Sequence, residues 1–291
     1  MVAIPFLKMH GLGNDFVVID LRHVPVVMTE DLARRIADRH RGVGCDQVIT
    51  IEPPRSAGAT AVMGIRNPDG SEAGACGNAT RCVAHLLMSE NSTEQCVVET
   101  IAGLLPSQRA ANGLVTVDMG PARFDWHQVP LSEARDTLHV GLSEGALHDP
   151  VAVSMGNPHA VFFVDDADAV PLTTDGPRIE HHPLFPARTN VEAVQVLGRD
   201  RLRMRVWERG AGITSACGSG ACAVMAAAVK RGHVDNKAEI ILDGGSLWME
   251  WRPADGHVLM TGPATTVFQG VLDASLWSDL SGVIRDGVLH G

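Results

Sequence analysis

The sequence predicts an α/β protein of the α+β kind, organised as two quasi-symmetric lobes that are mostly β. Three observations carry that expectation. One is an internal echo: segments 75–83 (ACGNATRCV) and 216–224 (ACGSGACAV) both open on Ala-Cys-Gly and close on Val, and Cys217 follows Cys76 by 141 residues. Upstream, Gly13-Asn14 leads into the apolar run 16–19 and Gly156-Asn157 into 160–164, with the two asparagines 143 residues apart. Self-similarity at a near-constant offset marks a duplicated unit. The second observation is a succession of short, branched or alternating runs separated by Gly and Pro turns, the pattern of strands. The third is a proline-free, largely apolar stretch after each cysteine, which reads as a helix buried nearly all round.

In chain order, each half gives a strand, a longer variable section, a second strand, a Gly-rich turn, the cysteine and the apolar helix. The second strands are 61–66 (AVMGIR) and 202–207 (LRMRVW), each ended by turn-type sequence. The helices run over 77–89 and 218–230, so both cysteines sit at helix N-termini. Segment 29–39 (TEDLARRIADR) has Thr29 as N-cap, acids in its first turn and Leu32, Ile36 and Ala37 on one face, the signature of an amphipathic surface helix. Further strands are expected at 96–100, 114–119, 151–154, 191–196, 239–242, 247–251 and 258–261. Turn residues at Gly120-Pro121 and Gly262-Pro263 set an N-terminal lobe over 1–120 and a C-terminal lobe over 121–263, with 264–291 returning to the first. Segment 125–150 is a connection rich in His and acids that carries no interpretable motif.

Composition narrows the function. The 291 residues are 45% hydrophobic and 20% charged, with a formal net charge of -10 and no Tyr. With no basic run and few stacking platforms, nucleic acid is not the expected partner. No apolar run reaches the roughly 18 residues that span a bilayer. Six cysteines in a chain of this length do not make a disulfide scaffold. The opening residues lack the features of a signal peptide, so a reducing cytoplasm is the expected location.

The paired cysteines suggest a chemistry. A Cys-Gly-Asn or Cys-Gly-Ser turn opening a helix offers backbone N–H groups and the positive end of the helix dipole, which together bind a carboxylate. The same field should lower the pKa of a first-turn thiol from about 8.5. Inverting an α-carbon needs one group to take the proton from one face and another to return a proton on the other. A thiolate and a thiol supply both, and mutual repulsion favours sharing one proton between them. The oriented N–H groups then stabilise the carbanion. Neither metal nor pyridoxal phosphate is required.

Blander readings compete. A single Cys before Gly is usually a packed thiol, and Cys45, Cys82, Cys96 and Cys222 are assigned that role. Cys76 and Cys217 could form a disulfide, and Cys82 with His85, one helical turn apart, could ligate zinc. The Gly-rich stretches 10–14 and 210–212 lack the full dinucleotide-binding pattern, and Ser219 lacks the flanking glycines of a nucleophile elbow.

Four signatures occur in order: KMHGLGNDFVVID at 8–20, NPDGSEAGACGNATRC at 67–82, GNPHAV at 156–161 and WERGAGITSACGSGACA at 207–223. Over almost its whole length the chain resembles the diaminopimelate epimerase family. The resemblance implies two lobes of one topology, each a mostly antiparallel sheet wrapped around a central helix, with the substrate between them. It implies pyridoxal-independent interconversion of L,L- and meso-2,6-diaminopimelate in lysine and cell-wall precursor synthesis. Carried over position by position, Cys76 and Cys217 are the acid/base thiols, and His159 and Glu208 tune them. Gly77, Asn78, Gly218 and Ser219 present amides to the reacting carboxylate, while Asn14, Gln47, Asn67, Asn157, Asn190, Glu208 and Arg209 grip the substrate. No cofactor or metal is expected, and a homodimer is the expected assembly. Ala79 stands where a glycine is common and Ser219 where a threonine is. The alternatives are a proline or hydroxyproline racemase of the same fold and a non-catalytic redox or binding module.

Overall fold

In the computed structural model, which describes residues 3–284, the chain divides into two units, Met1–Val115 with Pro263–Gly291 and Thr116–Gly262. In the first, β1 (Ile4–Gly11) turns through Leu12-Gly13, both at positive φ, into antiparallel β2 (Asn14–Asp20). Helix α1 (Glu30–Ala37) leads to β3 (Gln47–Glu52), parallel to β2, and β3 pairs antiparallel with β4 (Ala61–Arg66). Helix α2 (Gly77–Glu90) then leads to β5 (Gln95–Thr100), parallel to β4, and β5 pairs antiparallel with β6 (Gly103–Arg109). The strand Thr265–Leu272 returns to pair antiparallel with β1.

The second unit repeats this order. After β7 (Val115–Pro121) and a small hairpin of β8 (Ser143–Glu144) and β9 (Leu147–His148), β10 (Val151–Ser154) pairs antiparallel with β11 (Pro158–Val164). Helix α3 (Leu172–Glu180) leads to β12 (Asn190–Gly198), parallel to β11, and β12 pairs antiparallel with β13 (Arg201–Glu208), whose end also pairs with β14 (Gly212–Ile213). Helix α4 (Gly218–Lys230) leads to β15 (Lys237–Leu242), parallel to β13, followed by antiparallel β16 (Gly245–Trp251) and β17 (His257–Gly262). Each unit is thus a hairpin, a helical crossover, a hairpin, a second helical crossover and a hairpin. The pairing is mostly antiparallel, and the parallel joins fall where a helix intervenes, as parallel pairing requires a long connection.

The two helices after the cysteines are the centres of their units. α4 (GSGACAVMAAAVK) is buried from Gly220 through Ala228 and packs against β10 to β13 and β15 to β17. Its small side chains let strands approach on every side, and fully burying Val224 or Met225 contributes about 1.5–3 kcal/mol each. α2 packs likewise against β1, β2, β5 and β6. Among the described residues no helix is long and apolar enough to cross a membrane.

α1 forms as its sequence dictates: Thr29 Oγ1 accepts from Leu32 N at 3.2 Å, acids occupy the first turn, and Leu32, Ala33, Ile36 and Ala37 are buried. Beyond its end the chain doubles back, and a Cβ added at Gly42 would lie 2.0 Å from the Arg35 carbonyl oxygen and 2.7 Å from that of Ile36. The Ile36 carbonyl also accepts from Val43 and Gly44, so it cannot yield freely. Gly42→Ala should therefore cost about 2–4 kcal/mol in urea unfolding, a steric clash with backbone being among the larger mutational effects.

Several elements escaped the sequence reading. β1 carries Lys8 and His10 within eight residues; Lys8 is tolerated there because it bonds Asp15 and the Gly44 carbonyl. α3 contains Gly176-Pro177, which reads as a break. The glycine is there for packing, since a Cβ would meet the Trp207 ring at 2.6 Å. The strand Thr265–Leu272 shows no alternation because nearly all of it is exposed.

Candidate active site

Each expected catalytic cysteine is the N-cap of its unit's central helix. Cys76 has φ -149° and ψ 107°, Cys217 has φ -120° and ψ 110°, and neither thiol caps its own helix. Their carbonyls accept the first helical bonds, from Thr80 N at 2.9 Å and Ala221 N at 3.0 Å. No disulfide joins any of the six cysteines. Cys82 and His85 gain no third ligand, since among the described residues no group of three His, Cys, Asp or Glu is placed to hold a metal.

The candidate residues fall into pairs related by the repeat. Asn14 opens β2 and Asn157 immediately precedes β11. Gln47 faces Phe16 across the parallel β2–β3 pair, and Asn190 faces His159 across β11–β12. Asn67 follows the last residue of β4, and Glu208 is the last residue of β13. Asn78 and Ser219 are the second residues of their helices. Equivalent strand ends therefore deliver both sets.

In the first unit, the Cys76 thiol donates to Asn14 Oδ1 at 3.7 Å, and Asn78 Nδ2 donates to the same oxygen at 3.1 Å. Asn14 is itself oriented by its amide, which donates to Asp46 Oδ2 at 2.9 Å. Asp46 also accepts from Arg39 Nη2, which donates to Asp15 Oδ1 as well, both at 2.7 Å. Asn78 accepts from the wholly buried Arg81 at 2.9 Å, which also donates to the Pro263 carbonyl. Gln47 donates to Asn67 Oδ1 at 3.1 Å, and Asn67 donates to Ser71. Asp46 and Arg81 are not among the expected site residues; Arg81 lies inside the 67–82 signature and Asp46 next to Gln47, and neither has a local signal beyond its charge.

Burial raises the Asp15 carboxyl, but bonds from Arg39 and Lys8 and their charges outweigh it and hold its pKa down from 3.8 to about 2. A carboxylate held below its unfolded value stabilises the fold above that value and loses the contribution as pH falls through the folded one. The window is therefore about pH 4 down to pH 2. Asp15→Asn should lower stability at neutral pH and flatten the acid limb of an unfolding titration over that range; an unchanged acid limb would refute the assignment.

In the second unit, His159 and Glu192 are wholly buried and bond at 2.6 Å through Nδ1 and Oε1. His159 Nε2 lies 3.1 Å from Asn157 Oδ1, Asn157 Nδ2 donates to Ser219 Oγ at 3.3 Å, and Ser219 Oγ lies 3.6 Å from Cys217 Sγ. Glu208 accepts bonds from Thr214 and from the Cys217 thiol. Asn190 clips the site, donating to the Pro158 carbonyl and accepting from the Arg209 amide, both at 2.9 Å. The exposed Arg209 guanidinium reaches the Ala187 carbonyl at 3.0 Å.

The helix field was expected to depress both thiols, and for Cys217 the balance runs the other way. Burial pushes its pKa well up, and the charges of Glu208 and Glu192 push further, against the Gly220 amide and the Ser219 hydroxyl. Burial likewise raises the Glu208 carboxyl, opposed by its bonds from Thr214 and Cys217. Cys217 is thus a thiol at rest, with an acceptor of raised affinity for protons beside it. Glu192 and Thr214 were missed in the sequence.

The chain matches the diaminopimelate epimerase family over residues 6–125 and 151–267. It belongs to that family. The diaminopimelate epimerase of Rhodospirillum centenum is 61% identical over 271 residues, covering 93% of each chain. That of Acidiphilium cryptum is 55% identical over 94% of this chain and 98% of its own. The family match leaves out 126–150, the connection in which no motif was found. Among solved structures, the hydroxyproline epimerase of Agrobacterium vitis, with bound trans-4-hydroxy-L-proline, is similar at TM-score 0.66 and 19% identity, covering 94% of this chain and 92% of that one. A probable proline racemase of Agrobacterium radiobacter gives 0.65 at 20% identity, over 92% of each chain. These two establish that the diaminopimelate epimerase fold seen here is shared more widely.

Proposed function

We propose that this protein interconverts L,L- and meso-2,6-diaminopimelate without pyridoxal phosphate or metal, using Cys76 and Cys217 as a thiolate and thiol pair. The observation that carries the reading is that two cysteines cap the central helices of two units with one topology, in a chain of the diaminopimelate epimerase family. One thiolate takes the α-proton, the carbanion is stabilised by the helix-mouth amides of Gly77, Asn78, Gly218 and Ser219, and the other thiol returns a proton to the opposite face. Cys217, bonded to Glu208, enters as the thiol, and Glu208 supports its deprotonation for the reverse direction. His159 acts on the same cysteine through Asn157 and Ser219. Asn14, Gln47, Asn67, Asn157, Asn190 and Arg209 fix the substrate, with Arg209 on a distal carboxylate. The reaction belongs to lysine and peptidoglycan-precursor synthesis, and on the same reading the protein works in the cytoplasm as a homodimer.

The test is conversion of L,L-diaminopimelate to the meso form by purified protein with no added cofactor. A second reading, a hydroxyproline epimerase, draws on the shared fold, but that substrate has no second carboxylate for Arg209 to hold. Turnover of trans-4-hydroxy-L-proline with none of diaminopimelate would overturn the proposal.

A further inference from the structure

Glu192 sits in β12 between Val191 and Ala193 and is wholly buried, with Oε2 lacking a hydrogen-bond partner among the described residues. A carboxyl in such a place is retained only against a substantial desolvation cost. Its Oε1 faces His159 Nδ1 at 2.6 Å, and it also lies against the first turn of α4, where a Cβ at Gly220 would come within 2.9 Å of that oxygen. Four hydrogen-bonded links then run from Glu192 through His159, Asn157 and Ser219 to the Cys217 sulfur.

The donors along this chain have one sense. Asn157 Oδ1 can only accept, so His159 Nε2 carries a hydrogen. Nδ1 and Glu192 Oε1 must share another, whichever holds it. Asn157 then has only its Nδ2 to offer Ser219, whose oxygen accepts. The Ser219 hydroxyl hydrogen is left for the Cys217 sulfur.

We propose that Glu192 is a positioning residue that sets the direction of this chain, so that Ser219 donates to Cys217 when its sulfur becomes a thiolate. The inference rests on Cys217 being one of the two acid/base thiols. Without a partner at Nδ1 the imidazole is free to move its hydrogen there. The Asn157 amide can then turn over, and Ser219 donates to Asn157 instead of to sulfur. The groups facing Cys217 in its unit are Glu208 on β13, Glu192 on β12, and Ser219 with the Gly220 amide on α4.

Two substitutions separate this role from Glu192's charge, because both remove it. In Glu192→Gln the amide donates to Nδ1 and keeps the hydrogen on Nε2, preserving the chain; in Glu192→Leu nothing does. The pH midpoint for alkylation of Cys217 by iodoacetamide, read by mass spectrometry, should lie about one unit higher in E192L than in E192Q. The kcat should be about tenfold lower, with KM within about threefold, as loss of one bond to a charged acceptor implies. Adding Ser219→Ala to both should abolish the difference. Equal midpoints in folded E192L and E192Q, or a difference that survives Ser219→Ala, would overturn the proposal. In the wild-type protein, which needs no altered side chain, ¹⁵N NMR of labelled histidine should show His159 Nε2 protonated. An unprotonated Nε2 rejects the chain even if E192L fails to fold. Alkylation and NMR need no turnover, so they stand apart from the outcome of the epimerase assay.

Discussion

Cys76→Ala and Cys217→Ala should each lower diaminopimelate epimerisation by on the order of 10³-fold or more, with KM little changed. General acid–base groups contribute about 10²–10⁴ in rate, and in the proposed scheme each thiol is the sole route for protons on its face. Misfolding is not the expected cause. Cys217 is 5% exposed, and removing one buried sulfur leaves a small cavity costing about 1 kcal/mol, well within the stability of a domain. Cys76 is only half-buried, so its loss costs less. Near-normal turnover by a folded Cys→Ser pair under reducing conditions would exclude the two-thiol scheme. The same pair distinguishes a switchable disulfide module, which would lose redox response but no turnover.

Arg209→Met should raise KM for diaminopimelate by about 10²-fold with a smaller effect on kcat. A charge-assisted, two-pronged bond to a carboxylate is worth about 1.5–3 kcal/mol, and a contact remote from the inverted carbon is felt nearly equally in ground and transition states. The side chain's contact in the structure is a single bond to the Ala187 carbonyl, and its exposure leaves it available. Its backbone amide, not its side chain, ties it to Asn190, so methionine should leave the strand end intact. An unchanged KM would place the distal carboxylate elsewhere and reopen the choice of substrate.

The parts of the fold that local patterning controls were legible. The expected helix at 218–230 and strand at 61–66 coincide with α4 and β4, because an uninterrupted small-residue run and a branched run each bury without help from distant groups. β1 and α3 were not legible, since their polar or helix-breaking residues are explained only by partners such as Asp15 and Trp207 that the chain brings from elsewhere. The candidate site divides in the same way. The Cys-Gly turns announce themselves at helix starts, whereas Glu192 is one polar letter in VEAV and gains meaning only when β11 lays His159 beside it. The misjudged Cys217 has the same origin. Its local helix favours the thiolate, but burial and two carboxylates from neighbouring strands favour the thiol.

The most direct test of the two-thiol account is the early time course of the reaction in heavy water, started from L,L-diaminopimelate. Each thiol equilibrates with solvent before substrate binds, so the proton removed and the proton returned are different atoms. At low conversion the meso product should carry deuterium at the inverted carbon, while recovered L,L-diaminopimelate keeps its protium. Meso product retaining substrate-derived protium would require a single group serving both faces, and would contradict the account.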